Sequence, residues 1–391
     1  MTAPLASADA RFGDDDRRHM RRALELARSA LYRTSPNPRV GCVLVRDGQV
    51  LGEGATQAAG QDHAEVQAVK QAWERGHTVQ GATAYVTLEP CAHHGRTPPC
   101  ADLLVSQGVA RVVAALVDPN PQVAGQGLQR LRDAGVQVDV GLDADEAREI
   151  NLGFLSRMAR GTPWVRLKVA ASLDGVTALP NGVSQWITGE AARADGHHWR
   201  ARACAVLTGL GTVRADDPQL NVRAVDTPRQ PIRIVVDSRL EFPPTARLLQ
   251  SAASPLWLVH ALPPEEAAPR LAALRGAAHP DLDLQAITLP ADPRKPGKTD
   301  LRALMQTLAA RGINELHCEA GEKLNGSLLR AGVVDEVLLY LAPLLLGEGA
   351  GLAALGPLQH LSEGLALRWH AVEPVGTELR ILARFPLSFP H

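Results

Sequence analysis

Three potential metal ligands with telling neighbours constrain this chain most: His63-Ala64-Glu65, then Glu89-Pro90-Cys91, then Cys100. The set draws on a helix start, where His63 and Glu65 lie, and on the loop after a strand, where Cys91 lies. One imidazole and two thiolates make three zinc ligands. A catalytic zinc takes three protein ligands and keeps a fourth position for water, whereas a structural zinc takes four. His93 or His94 is available as a fourth ligand, so both uses fit the ligand count. Glu65 discriminates between them. Zinc lowers the pKa of its water toward ~7, and a carboxylate two residues from the histidine reaches that water without ligating the metal. Such a carboxylate takes the water's proton and hands it on to a leaving group, which a purely structural site does not need. His93, His94 and Arg96 are then expected to face a substrate. A helix is predicted to begin at Cys100, whose thiolate would gain from the helix N-terminus.

The elements around this set alternate. Met20, Ala23, Leu24, Ala27 and Leu31 share one face of a predicted helix from Asp14 to Arg33, with acidic residues in its first turn. Two strands, 40–45 and 50–54, flank Asp47-Gly48, a two-residue hairpin signal. A helix over 62–73, a strand over 84–88, a strand over 111–117, a helix over 127–133, a strand over 136–140 and a helix over 143–160 complete the first half. Gly161-Thr162-Pro163 breaks the last helix, which sets domains of 1–161 and 162–391. The second half alternates again, with strands at 165–170, 205–207, 232–236, 256–259 and 315–318 and helices at 190–201, 301–311 and 324–331. The run 333–341 and the segments near Arg368 and Leu379 are expected to finish the sheet as antiparallel strands. Pro263-Pro264 and 290–296 are expected to be surface loops. The pattern implies two α/β domains.

Composition narrows the function classes. Lys+Arg of 41 against Asp+Glu of 42 gives a net charge of -1, which argues against broad attachment to nucleic acid or anionic membrane. Five cysteines, an odd number without a tight framework, fit reduced cytoplasmic thiols. Cys42, Cys204 and Cys318 are expected in the core. No basic and apolar leader and no long apolar run is present, so a cytoplasmic protein is expected.

A His-x-Glu followed by Pro-Cys and a second Cys is the pattern of zinc nucleobase deaminases, although the spacing here is Cys-x8-Cys, with Ala92 to Pro99 between the ligands. Longer motifs carry a closer likeness. Pro36-Asn37-Pro38-Arg39-Val40-Gly41, His63-Ala64-Glu65-Val66 and Thr87 to Cys100 (TLEPCAHHGRTPPC) resemble the deaminase half of the bifunctional riboflavin-biosynthesis deaminase–reductases. Lys168 to Gly175 (KVAASLDG), Ser184 to Thr188 (SQWIT), Asp216-Asp217-Pro218, Ile232 to Ser238 (IRIVVDS) and Glu319-Ala320-Gly321 resemble the reductase half. The resemblance implies an α/β chain: a three-layer cytidine-deaminase-like domain followed by a dihydrofolate-reductase-like domain. It implies hydrolytic deamination of a diamino-pyrimidinone carrying a phosphoribosylamino group, then NADPH-dependent reduction of the ribose to ribityl. It places one Zn2+ on His63, Cys91 and Cys100, the proton shuttle on Glu65 and a substrate contact on Asn37. Cofactor contacts fall on Ala170, Trp186, Thr212, Asp216, Ser238 and on Gly321, Glu322, Lys323, Leu324, Asn325, Gly326 and Ser327. Substrate contacts fall on Ser184, Arg200, Leu220, Arg223 and Glu319, with Lys168 added. A homo-oligomer is expected, acting on a small molecule, with neither nucleic acid nor membrane as partner.

Residue chemistry supports parts of the second half independently. No Gly-x-Gly-x-x-Gly opens either domain, so a Rossmann dehydrogenase is not expected. The strand before Glu319 runs through Gly321 into a helix, whose free N–H groups suit a pyrophosphate, and Thr208 to Thr212 forms a second strand-to-glycine turn. Arg200 and Arg223 suit a phosphate, or else are solvated charges. Lys168 alternates with Val165, Leu167 and Val169, so it faces either solvent or a site. Asp174 is either a turn residue or a site residue. Ser238 and Arg239 follow a strand end, where ligands of open α/β sheets gather, and are candidates to meet the 2′-phosphate of NADPH. Two other classes compete: a nucleic-acid-editing deaminase, which needs a basic groove that the charge pattern lacks, and a zinc-stabilised binding protein, which has no use for Glu65.

Overall fold

Three aspartates in the first turn favour the N-terminus of the first helix, α1 (Asp14–Ser29), which buries Met20, Ala23, Leu24 and Ala27. The computed structural model describes residues 11–92, 99–121 and 123–386; His93, His94 and Arg96 lie outside them. The predicted extension of α1 to Arg33 is replaced by turns. Ala30, Leu31 and Arg33 each bond to the carbonyl three residues back, which tightens the chain out of the α-helix before Pro36.

The chain divides into two compact units, Met1–Gly161 and Thr162–His391. In the first, β1 (Gly41–Arg46) and β2 (Gln49–Ala55) are joined at Asp47 and Gly48, whose φ values of 51° and 74° suit a hairpin turn with two left-handed residues. Then follow α2 (Ala64–Glu74), β3 (Thr83–Val86), α3 (Cys100–Ser106), β4 (Arg111–Ala114), α4 (Gln126–Asp133), β5 (Gln137–Val140) and α5 (Ala144–Arg160). The sheet order is β2-β1-β3-β4-β5. β1 is antiparallel to both neighbours, while β3, β4 and β5 are parallel. Gly54 sets how close α2 comes, since a Cβ there would lie 2.2 Å from the Ala64 carbonyl oxygen. Only a bare backbone lets the first turn of α2 lie on the sheet. That turn carries Glu65, with His63 as its N-cap.

The second unit runs β6 (Trp164–Ser172), α6 (Glu190–Arg202), β7 (Ala205–Gly209), α7 (Leu210–Asp216), β8 (Ile232–Val236), β9 (Leu256–His260), α8 (Pro264–Ala277), β10 (Leu284–Thr288), α9 (Leu301–Ala310), β11 (Glu315–Cys318), α10 (Glu322–Arg330), β12 (Glu336–Ala342), β13 (Arg368–Val375) and β14 (Glu378–Arg384). Its sheet has the order β10-β9-β8-β7-β11-β6-β12-β14-β13. Strands β10 through β12 in that order run parallel, and β14 and β13 close it antiparallel. The antiparallel finish expected from residue 333 onward therefore starts one strand later, because β12 lies parallel to β6 and the reversal comes at β14. Pro264 corrects an expectation, because it opens α8 rather than continuing a loop. At the first helical position its missing N–H costs nothing and its φ is already helical. α7 and β10 also escape sequence analysis. α7 is short, and β10 is an edge strand with one fully buried residue, so neither shows a clear period. Asp174 proves to be a clamp in a turn: its carboxylate accepts the Ser172 hydroxyl and the backbone N–H groups of Leu346 and Gly347. Among the described residues no helix is long and apolar enough to cross a membrane.

Candidate active sites

In the first unit one imidazole and two thiols converge from three segments. The ligand atoms of His63, Cys91 and Cys100 all lie within 4.8 Å of one another. His63 Nδ1 is 3.6 Å from Cys91 Sγ and 3.4 Å from Cys100 Sγ. The Cys100 backbone N–H, at the start of α3, donates to Cys91 Sγ at 3.3 Å. This reverses an expectation, since the helix start favours the thiolate of Cys91 rather than that of Cys100. The Cys91 thiol is pushed down to about 4, first by the hydrogen bond from Cys100 and then, against burial, by His63. Cys100 is pushed up, chiefly by its hydrogen bond with Cys91 and by burial. Glu65 is 4% exposed; burial lifts its carboxyl to about 7, opposed by the charge of His63.

Glu89, two residues before Cys91, holds this site together from behind. One carboxylate oxygen accepts the N–H groups of Asp118 and Gly125 at 3.0 Å each, and the other those of Gly127 and Leu128 at 2.9 and 3.3 Å. Gly127 sits so near that a Cβ would lie 1.9 Å from the Pro90 carbonyl oxygen. Three N–H groups at the start of α4, and that of Asp118 before it, are thereby satisfied next to a ligand-bearing loop. Asp118 beside them is raised to about 6 by burial. The motif shows Glu89 in the sequence, but its partners lie at least 29 residues further on, so its role is not legible there. Asn37 is half-buried, and its backbone N–H goes to the Thr34 carbonyl. The segment it heads is tied down at Arg39, whose backbone N–H donates to Asn151 Oδ1 at 2.8 Å.

In the second unit a cavity of about 580 Å³ opens beside residues that follow β7 and β11, at the carboxyl ends of parallel strands, as is usual for open α/β sheets. It brings together Lys168, Trp186, Arg200, Thr212, Asp216, Leu220, Arg223 and Glu319 of the predicted set. α6 is fastened to the sheet by Arg202, paired with Glu315 at 2.8 Å, and by Trp199, whose ring lies 4.3 Å from the Arg166 guanidinium. Arg200 is thus aimed at Glu319, and the two form a two-pronged pair through Nε and Nη2, with Nη1 on the Asn221 carbonyl. Arg200 therefore enters the site already neutralised. Glu319 is held well below the usual carboxylate range: burial opposes this, but Arg200, His317 and Lys168 outweigh it. Lys168 is lowered by burial and by Arg200, and its Nζ lies 5.8 Å from the Tyr340 ring centroid.

Other predicted positions lie off this lining. Ser184 Oγ is 3.5 Å from Asp216 Oδ1. The two strand-to-glycine turns meet where Gly321 N–H donates to Thr212 Oγ1 at 3.2 Å. Along α10, Glu322 accepts from Gly351 N–H, Asn325 donates to the Leu352 carbonyl, and Ser327 donates to the Lys323 carbonyl. A Cβ on Gly326 would lie 2.2 Å from the Ala354 carbonyl oxygen, so the middle of α10 serves packing. Lys323 and Leu324 share that helix, and Ala170 lies on β6. Ser238 Oγ accepts both the N–H and the hydroxyl of Thr299, and Arg239 is exposed. The cavity also contains residues that sequence analysis misses: Arg193, stacked 4.5 Å over Trp186, His197, Arg247 and Tyr340. His197 precedes Arg200 by one turn, and that i, i+3 spacing on a polar helix is the signal that would have found it.

Comparison with known proteins covers nearly the whole chain. The sequence model of the cytidine and deoxycytidylate deaminase zinc-binding region matches residues 14–116, and that of the RibD C-terminal domain matches 163–381. Riboflavin biosynthesis protein RibD of Haemophilus influenzae is 46% identical over 383 residues, spanning 95% of this chain and 97% of that protein. The Escherichia coli protein is 44% identical over 377 residues, spanning 93% and 98%. The solved structure of Acinetobacter baumannii RibD superposes with a TM-score of 0.83 at 42% identity, covering 95% and 98% of the two chains. A diaminohydroxyphosphoribosylaminopyrimidine deaminase/5-amino-6-(5-phosphoribosylamino)uracil reductase from Thermotoga maritima superposes with a TM-score of 0.82 at 30% identity, covering 95% and 99%.

Proposed function

The chain belongs to the family of bifunctional riboflavin-biosynthesis deaminase–reductases, and on that premise we propose which residues perform each reaction. It is a zinc-dependent deaminase of a phosphoribosylated diaminopyrimidine and an NADPH-dependent reductase of the resulting 5-amino-6-(5-phosphoribosylamino)uracil. We assign deamination to residues 1–161 and reduction to 162–391.

The donor set of one imidazole nitrogen and two sulfurs within 4.8 Å suits a zinc ion with an open position. His63, Cys91 and Cys100 would hold one zinc per chain, which supplies the Lewis acidity that activates water. Glu65 carries two protons in turn on its buried carboxylate: one from the attacking water to the ring nitrogen, then one from the newly added hydroxyl to the amino group, which leaves as ammonia. Asn37 holds the pyrimidine. The single observation that carries this reading is the convergence of the three ligands beside a buried Glu65.

In the second unit the cavity's size, the exposed Trp186 and the Thr212–Gly321 contact fit a dinucleotide, and NADPH supplies the hydride. Ala170, Trp186, Thr212, Asp216, Ser238 and residues 321–327 are assigned to the cofactor. Lys168, Ser184, Arg200, Leu220, Arg223 and Glu319 are assigned to the substrate, whose sugar they orient toward the nicotinamide. Feeding the purified protein its pyrimidine substrate with and without NADPH, and identifying products by mass, tests both halves. Without NADPH only the deaminated compound should accumulate, and with it the ribityl product. No deamination by zinc-loaded protein would overturn the assignment.

Two further points rest on chemistry. All five cysteines are free although Cys91 and Cys100 are close, which favours a reducing cytoplasm. The edge strand β13 exposes Trp369 and Val372, 74% and 53% accessible. An apolar sheet edge of this kind invites pairing, and a second copy of the chain is its assigned occupant. Sedimentation velocity should show a dimer or larger that Trp369→Lys shifts toward monomer.

A further inference from the structure

One ring in the reductase cavity is used by none of the assignments above. His197 lines it together with Lys168, Arg200, Arg223 and Glu319. Its Nδ1 accepts the backbone N–H of Arg223 at 3.3 Å. A neutral imidazole that accepts at one nitrogen carries its proton on the other, so Nε2 is an N–H donor. Among the described residues that donor has no partner. Burial first, then the charges of Arg200, Arg223 and Lys168, push the imidazole down to about 4 against the pull of Glu319. The ring is neutral at neutral pH and contributes direction where its neighbours contribute charge.

Those neighbours are unequally engaged. Arg200 is paired with Glu319. Among the described residues the Arg223 side chain hydrogen-bonds only to neutral oxygens, those of Asn221 and Gln219, and Arg247 has no ion pair. Both line the cavity and lie near enough for Arg247 to depress Arg223 electrostatically. An oxyanion beside them gains two cations that no carboxylate has already claimed.

We propose that His197 Nε2–H donates to a phosphoryl oxygen held by Arg223 and Arg247, making His197 a specificity residue for phosphorylated ligands. The inference rests on the reading of this cavity as the reductase site. The oxygen belongs either to the phosphoribosyl group of the substrate or to a phosphate of the cofactor, and the test separates them.

The full chain is compared with His197→Phe and His197→Gln. Calorimetric titration with inorganic phosphate needs no turnover. His197→Phe should weaken phosphate about tenfold, as for one hydrogen bond to a charged group. His197→Gln, whose amide N–H reaches as far as Nε2, should recover most of that loss. In turnover the loss falls on KM for the phosphorylated substrate rather than on kcat, and it is absent with the dephosphorylated analogue. A rise in the NADPH Kd with unchanged substrate KM also supports the donor and assigns the oxygen to the cofactor. Unchanged phosphate affinity in His197→Phe, or equal losses with both substrates, overturns the proposal. Should His197→Phe fail to fold, the same titration of His197→Ala decides. A wild type that binds phosphate through His197 yet reduces nothing with NADPH breaks the reductase reading alone.

Discussion

The metal cluster and the reductase cavity are organised by different forces. In the first unit three ligand atoms within 4.8 Å are set by backbone: a helix start pressed on a glycine, a second helix start donating to a sulfur, and a carboxylate gathering four N–H groups. In the second, side chains from distant segments enclose about 580 Å³ and hold one another by charge, Arg200 on Glu319 and Arg193 over Trp186. A site of the first kind fails abruptly when one atom is lost. A site of the second kind spreads its work and fails by degrees.

The sharpest break in that comparison is Glu65→Gln. The amide keeps the shape but cannot shuttle a proton, so deamination should fall by ~10²–10⁴. Elemental analysis should still find zinc, and reduction of supplied 5-amino-6-(5-phosphoribosylamino)uracil should continue at the wild-type rate. Normal deamination would remove Glu65 from the mechanism; loss of both activities in a folded variant would contradict separate sites.

Glu89→Ala probes the backbone frame instead of the chemistry. It leaves buried N–H groups of residues 118–128 without their acceptor, at a cost of roughly 3 kcal/mol. Denaturant unfolding of the full chain should show an earlier transition for the first unit. A shift below about 1 kcal/mol would mean that water replaces the carboxylate.

In the charge-built site one histidine should make stability depend on pH. Folding moves the His197 imidazole from an ordinary 6.5 down to about 4, through burial and then the nearby arginines. Below pH 6.5 the unfolded chain binds a proton that the folded chain refuses. Stability from this source is therefore full above 6.5 and is lost as pH falls toward 4, with a slope of at most ~1.4 kcal/mol per pH unit. Urea midpoints across that window should converge between wild type and His197→Phe at high pH and diverge at low pH, the variant losing less. Parallel curves would show that the ring is solvated.

The same contrast explains what could be read from sequence. His63 and Glu65 are two residues apart and Cys91 follows Pro90, so the metal set shows itself locally. The hairpin at Asp47-Gly48 and the closing antiparallel strands are equally local or strongly patterned. Arg200 is visible as a motif position, but its pairing with Glu319 spans 119 residues, and nothing near either residue announces it. α8 was hidden by two prolines whose meaning depends on position, α7 and β10 by their short, unpatterned apolar content. His197, Arg247 and Tyr340 enter one cavity from three segments that only tertiary packing unites.

The smallest expected effect concerns cofactor choice. Ser238 stands just beyond β8, and its hydroxyl accepts from both the N–H and the hydroxyl of Thr299 at 3.0 Å, which leaves its own proton free to donate. Arg239 is exposed, its carbonyl takes the Arg270 guanidinium, and its side chain runs past Gly297. A 2′-phosphate here would meet one hydroxyl donor and a solvated cation, worth ~0.2–1 kcal/mol for the exposed charge, or up to about fivefold in affinity. Removing both side chains, as Ser238→Ala with Arg239→Ala, should weaken NADPH by several-fold and leave NADH nearly unchanged in a nicotinamide fluorescence titration. Equal weakening of both cofactors would detach the 2′-phosphate from this strand end. Arg223 and Arg247, which line the cavity and have no ion pair among the described residues, would then be the next to replace, and a selective loss of NADPH there would show that one charge-built pocket serves both cofactor and substrate.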